Sequence, residues 1–156
     1  IYEIVTSSLS TPPCQYGVLE YRDDESFSYH TQQVDMEKWA RKHKSTDENL
    51  LNFNTYAPAA LRTIFYNQSY DAMKDSEEEE TGDLFVKLTQ RQKEQMSEVY
   101  AQLNAACYGG KAYEVVKEAT TTPAYKMWQE YCYPMVLFEY LEYYKQDRGY
   151  LLSFNF

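Results

Sequence analysis

Seven mostly apolar residues from Phe85 to Ala106 are spaced three or four positions apart, which places them on one face of a helix. The series consists of Phe85, Leu88, Gln92, Met96, Val99, Leu103 and Ala106. The pair Gly109 and Gly110 follows it and ends a helix, because glycine readily adopts the backbone angles found just past a helix C-terminus. The pattern predicts a helix over residues 84–106, with Thr81 or Asp83 as its N-cap.

The N-terminal part of the chain has a different period. Residues 1–6 and 17–21 are rich in β-branched and aromatic residues, and residues 27–31 alternate aromatic with polar side chains. The acidic segment 23–25 predicts a turn that joins the second and third of these into a hairpin. We therefore expect a small antiparallel sheet from residues 1–31, and the tail 150–156 is a candidate further strand.

Further helices are predicted on both sides of the central one. Residues 34–43 place Met36, Trp39 and Ala40 on one face. A second helix is expected over residues 56–73, with Asn54 or Thr55 as its cap and Pro58 in its first turn. Residues 111–119 are expected to form one or two helical turns.

The last predicted helix spans residues 123–146. Thr122 is its expected N-cap and Pro123 its first residue, because the missing N–H of proline costs nothing there. Pro134 lies inside it and predicts a kink, and Gly149 ends it.

Together these elements predict one α+β domain over residues 1–156. Four to five helices would pack on a small antiparallel sheet formed by the N-terminal strands. The expected order is a β-rich part at 1–31, a helical part at 32–74, an acidic loop at 75–83, a helical part at 84–148 and a strand-like tail at 150–156.

Charge excludes several classes of partner. The chain has 24 Asp and Glu residues against 15 Lys and Arg residues, a formal net charge of −9. Binding to nucleic acid phosphates or to anionic membranes depends on an excess of cations, so neither is expected. No apolar run reaches the roughly 20 residues of a membrane-spanning helix. We expect a soluble, cytoplasmic protein.

Acidic residues are concentrated in the predicted loop. Residues 46–80 hold eight acids against two bases, while residues 32–45 hold two acids against four bases, so the surface should be dipolar. The candidate partner-binding acids are Asp75, Glu77, Glu78, Glu79 and Glu80. Closely spaced carboxylates can occupy a basic groove on a protein that binds nucleic acid, which would make the chain a DNA mimic and an inhibitor. The alternative is a solvated linker.

Tyrosine is unusually frequent, with 17 residues, and several surround the last predicted helix on all sides. The candidates for a partner-binding surface are Tyr140, Tyr143 and Tyr144. A helix that is apolar all round is either the centre of its own domain or shared with a partner or a second copy. Tyrosine suits the second case, because it offers a rigid amphipathic surface.

Signals for catalysis are weak. Cys14 and His30 fall in the same predicted sheet and are the candidate nucleophile and base of a small enzyme. The metal-ligand spacings Glu-x-x-His and His-x-x-x-His are absent from the sequence, and no cofactor motif is present. No motif is specific enough to indicate a family.

These observations favour a non-enzymatic acidic module that binds a protein partner through acidic and tyrosine-rich surfaces. A structural subunit of a larger assembly is the first alternative. An enzyme that uses Cys14 and His30 is the second.

Overall fold

A computed structural model of the chain describes residues 8–75, 86–109 and 112–131. These residues form two strands and six helices, which confirms the predicted α+β fold. The elements are β1 (Gln15–Tyr21), β2 (Phe27–Gln33), α1 (Met36–Lys42), α2 (Glu48–Leu51), α3 (Phe53–Asp75), α4 (Gln90–Tyr108), α5 (Ala112–Ala119) and α6 (Pro123–Tyr131). The short helix α2 was not predicted.

Strands β1 and β2 form the predicted antiparallel hairpin. Its register runs from Gln15 opposite Gln33 to Tyr21 opposite Phe27. Gly17 lets the ring of Tyr29 lie against the backbone, because a Cβ atom at residue 17 would stand 2.7 Å from Cε2 of that ring. The turn is closed by the N–H of Arg22, which donates to the carbonyl of Ser26 at 2.9 Å.

The first helices begin at aspartate caps. A carboxylate oxygen of Asp35 accepts the N–H of Lys38 at 2.9 Å, and one of Asp47 accepts the N–H of Asn49 at 2.8 Å. Side-chain acceptors of this kind satisfy backbone donors that have no partner inside the helix.

Helix α3 begins earlier than predicted. It starts at Phe53, so Asn54 and Thr55 lie inside it rather than at its cap, and Pro58 falls beyond the first turn. The N–H groups of Thr55 and Tyr56 both donate to the carbonyl of Asn52, which belongs to the end of α2. The side-chain acceptor at this end comes from another helix, because a carboxylate oxygen of Glu37 in α1 accepts the N–H of Asn54 at 3.0 Å.

Helix α4 begins later than predicted. Residues 87–89 are not helical, and α4 starts at Gln90 instead of residue 84. Its cap is Thr89, whose hydroxyl accepts the N–H of Gln92, while the Gln92 side chain accepts the N–H of Thr89. This capping box fixes the start of the helix. Leu88, which fits the helical spacing, is buried just before it.

The core lies between α4, α5, α6 and the C-terminal part of α3. Its buried members are Met73, Leu88, Met96, Val99, Leu103, Val116, Ala119, Ala124, Tyr125 and Trp128. Tyr125 and Trp128 are the aromatic residues among these buried members. Other rings lie at its margin, such as Tyr100, whose centroid is 5.9 Å from that of Trp128.

Helix α6 starts as predicted, with the N–H of Tyr125 donating to the Thr122 hydroxyl at 3.2 Å. Several other predicted elements lie outside the described residues. They are the strand at 1–6, the loop residues 76–83 with the caps Thr81 and Asp83, the helix beyond residue 131 with Pro134 and Gly149, and the strand-like tail 150–156.

Candidate functional site

The sequence-predicted binding residues fall mostly beyond the described part of the chain. Asp75 is the last residue of α3. The other acidic candidates, Glu77, Glu78, Glu79 and Glu80, and the tyrosine candidates, Tyr140, Tyr143 and Tyr144, lie outside the described residues. Their role in partner binding stays a prediction.

Cys14 and His30 lie on the hairpin but do not meet. The carbonyl of Cys14 accepts the N–H of Val34 at 2.9 Å, whereas His30 is paired with Val18. Four register steps therefore separate the two residues, which is about 13 Å at the rise of a β-strand. A nucleophile and its base need to be within about 3 Å of each other. The structure does not bring this candidate pair together.

Cys14 lines a cavity of about 340 Å³ between the open end of the hairpin and helices α3 and α4. Its side chain is buried, and that burial raises the pKa of the thiol above its usual value. A raised pKa favours the neutral thiol, which is the less nucleophilic form. The rest of the lining is apolar apart from the amides of Gln15, Gln33 and Asn54. None of the residues that line it is charged.

A larger groove of about 460 Å³ lies where α3, α4 and the start of α6 meet. Its polar wall consists of Tyr66 from α3 and of Glu94, Gln95 and Glu98 from α4. Glu94 and Glu98 are one turn apart and therefore share a face of α4. We call these four residues, Tyr66, Glu94, Gln95 and Glu98, the acidic groove.

Besides burial, the carboxylates of the acidic groove help to raise the pKa of its tyrosine, Tyr66. Partial burial raises the pKa of the Tyr66 hydroxyl, and the negative charges of Glu94 and Glu98 raise it further, together with Tyr70. Tyr66 therefore keeps its proton and can donate a hydrogen bond. Its ring stacks on that of Tyr70, with centroids 6.1 Å apart and planes within 6° of each other.

Hydrogen bonds and an ion pair orient the two glutamates. The side-chain amide of Gln90 donates to Oε1 of Glu94 at 2.9 Å. Arg62 of α3 forms an ion pair with Glu98, and both of these side chains are about half exposed. An exposed pair of this kind contributes little stability and can exchange partners.

The acidic groove is suited to a cationic group. Two carboxylates can accept hydrogen bonds from a guanidinium or an ammonium, and the face of a tyrosine ring attracts the same groups. This site was not predicted, although the sequence places Glu94 and Glu98 four residues apart. Their nearness to Tyr66 depends on how α3 packs against α4, which the sequence does not specify.

The described ranges contain neither a clustered metal site nor a membrane-spanning helix. No group of three or more His, Cys, Asp or Glu residues within them is arranged to hold a metal ion. No helix there combines the length and the apolarity that crossing a bilayer requires.

Comparison with known families gives one match. A family model described as the C-terminal domain of cyclic nucleotide phosphodiesterase matches residues 35–149. This range begins at the cap of α1 and includes all six described helices, but it leaves out the hairpin. A comparison with curated proteins gives no match.

Proposed function

The chain belongs to the family of the C-terminal domain of cyclic nucleotide phosphodiesterase, and we propose that it acts as a non-enzymatic module that binds a basic protein partner. The single observation that carries this proposal is the acidic groove. Its carboxylates and its protonated tyrosine offer the chemistry that recognises lysine or arginine side chains. The formal charge of −9 would steer such a partner toward the chain.

The family's description raises a second possibility, that this chain itself binds a cyclic nucleotide. A cyclic nucleotide is a phosphodiester and carries a negative charge. Beside Glu94 it would be repelled by about 4 kcal/mol for charges 4 Å apart near a protein surface, whereas Arg62, which pairs with Glu98, would offset the repulsion there. The cavity at Cys14 offers amides but no cationic side chain. Of the two functions, we therefore propose partner binding for the acidic groove, since neither described cavity is lined mainly by cationic side chains.

The acidic segment that follows α3 fits the same proposal. Asp75 and Glu77 to Glu80 would add long-range attraction for a basic partner, and the tyrosines at 140, 143 and 144 would add contact area. If the partner's basic site normally holds nucleic acid, the chain would act as an inhibitor that mimics DNA. The proposed location of this interaction is the cytoplasm.

The exposed rings of the hairpin favour a second candidate, a structural subunit. Tyr21 and Phe27 are largely exposed and in contact with each other. A permanent assembly would cover such rings. Its contacts would resist salt, whereas the interaction of the acidic groove would weaken as salt screens the charges.

Affinity capture with matched variants tests the proposal. The immobilised chain would be compared with Glu94→Gln/Glu98→Gln and with the control Glu114→Gln/Glu118→Gln. The control removes the same two charges, at the same spacing, from exposed positions of α5. We expect wild type and control to retain a basic protein that a salt gradient elutes, and the groove variant to lose it. Equal capture by all three chains would overturn the proposal, and so would capture of no partner by wild type.

A further inference from the structure

The closed end of the hairpin exposes apolar side chains on one face. Tyr21 and Phe27 are opposite each other, their ring centroids are 5.0 Å apart, and their exposed fractions are 64% and 66%. Leu19 lies two residues before Tyr21, so it shares that face, and it is 59% exposed. Within the described residues nothing covers this patch.

Carboxylates border the patch at the turn. Asp23, Asp24 and Glu25 are all exposed. Asp24 accepts hydrogen bonds from the backbone N–H and the hydroxyl of Ser26, so it is engaged in holding the turn. Asp23 and Glu25 form no ion pair with any described residue. We call Leu19, Tyr21, Asp23, Glu25 and Phe27 the acidic hairpin end.

Helix α1 has the opposite character. Lys38 and Lys42 are exposed one turn apart, and neither forms an ion pair within the described ranges. Trp39 lies beside them, is 48% exposed and stacks on His43 with centroids 4.5 Å apart. We call Lys38, Trp39 and Lys42 the basic helix face.

The two surfaces cannot pair within one molecule. Six register steps, about 20 Å, separate the Tyr21–Phe27 end of the hairpin from its Gln15–Gln33 end. Helix α1 begins at Met36, shortly beyond the Gln33 end. This separation is about twice the screening length at physiological salt. Within the described residues, neither surface is therefore covered by the other.

We propose that the chain self-associates by reciprocal contact between the acidic hairpin end of one copy and the basic helix face of a second copy. The surfaces match in both charge and apolar character. A two-fold axis between antiparallel hairpins would make both contacts at once, since each hairpin is long enough to reach from one contact to the other. This inference does not depend on the acidic groove.

The apolar area exposed on one copy limits how stable the proposed dimer is expected to be. Leu19, Tyr21, Phe27 and Trp39 of one copy expose together roughly 400 Å², which is about half of the ~800 Å² that each partner buries in a typical specific interface. Such an interface is at the small end of the range for specific contacts, so we expect a weak dimer that dissociates on dilution. Sedimentation equilibrium of the full chain between about 1 and 200 µM would detect it.

Charge reversal separates this pairing from an effect of overall charge. Asp23→Lys/Glu25→Lys makes the chain less negative than its formal −9, and Lys38→Glu/Lys42→Glu makes it more negative. If only the repulsion between two net negative chains mattered, the first variant would dimerise better than wild type and the second worse. The proposed contact predicts that both dissociate at least about tenfold more readily.

Mixing the variants completes the test. In the mixed dimer one contact joins the reversed hairpin end to the reversed helix face, and the other joins two wild-type surfaces. Both contacts are then complementary, so the mixed dimer should form with an affinity near that of wild type. Glu114→Lys/Glu118→Lys, on the exposed surface of α5, should dimerise at least as well as wild type. Circular dichroism would verify the fold of every variant. A monomeric wild type, reversals without effect, or an unrescued mixture would each overturn the proposal.

Discussion

Thr89 shows how one residue sets the start of a helix. It forms a capping box with Gln92 at the start of α4. We predict that Thr89→Ala lowers the free energy of unfolding by about 1 kcal/mol, because the backbone N–H of Gln92 loses its acceptor and the Gln92 side chain loses the hydroxyl that orients it. Urea unfolding followed by circular dichroism would measure it.

A control for Thr89 lies in the middle of α3. The hydroxyl of Thr63 only donates to the carbonyl of Ala59 one turn earlier, and its side chain is exposed. Thr63→Ala deletes the same atoms but improves helix propensity, so stability should stay equal or rise slightly. Equal losses from the two variants would contradict the assigned role of Thr89.

Tyr100 should make the fold sensitive to alkaline pH. Burial raises the pKa of its hydroxyl above the usual value of 10.0, and Tyr108 raises it further. The folded state therefore holds this proton more tightly than the unfolded chain does. The resulting stabilisation is complete below pH 10 and is lost as the pH rises through the folded-state pKa.

Tyr100→Phe removes this titration. We predict that its free energy of unfolding declines less steeply than that of wild type above pH 10. Urea unfolding at a series of pH values between 8 and about 11.5 would measure both slopes. Identical slopes would show that Tyr100 does not titrate differently in the folded and unfolded states.

Trp128 joins helices α6 and α4 through a hydrogen bond and through its packing. Trp128 of α6 is buried, and its indole N–H donates to the carbonyl of Met96 in α4 at 2.8 Å. We predict that Trp128→Phe costs about 2 kcal/mol, from the lost hydrogen bond and the space left by the smaller ring. Trp39→Phe, at an exposed site of α1, should change stability by less than about 0.5 kcal/mol. Thermal unfolding at low protein concentration would compare the two.

The elements were predictable where period and turn chemistry agreed. Alternation on both sides of an acidic turn correctly indicated the hairpin, and Thr122 with Pro123 correctly indicated the start of α6. The boundaries of α3 and α4 were wrong for physical reasons. The side-chain acceptor for the first turn of α3 is Glu37 of α1, which is far from that turn in the sequence. Leu88 continues the helical spacing of α4, although Thr89 and Gln92 start that helix after it.

At the scale of the whole molecule, the sequence predicted the charge but not its arrangement. The family match extends over residues 35–149, so membership is not carried by one short motif, and no such motif was found. The acidic groove needs Tyr66 from one helix and Glu94 and Glu98 from another. Because these residues are far apart in the sequence, the site can be recognised only when the packing of the two helices is known.

We propose that the acidic groove binds cations and not phosphodiesters. Two NMR titrations of the ¹⁵N-labelled chain test it most directly, one with an arginine- and lysine-containing peptide and one with a cyclic nucleotide. The account predicts that the peptide shifts the resonances around Tyr66, Glu94 and Glu98, less so in high salt, and that the nucleotide leaves them unchanged. Saturable shifts with the nucleotide at this groove, or none with the peptide, would contradict it.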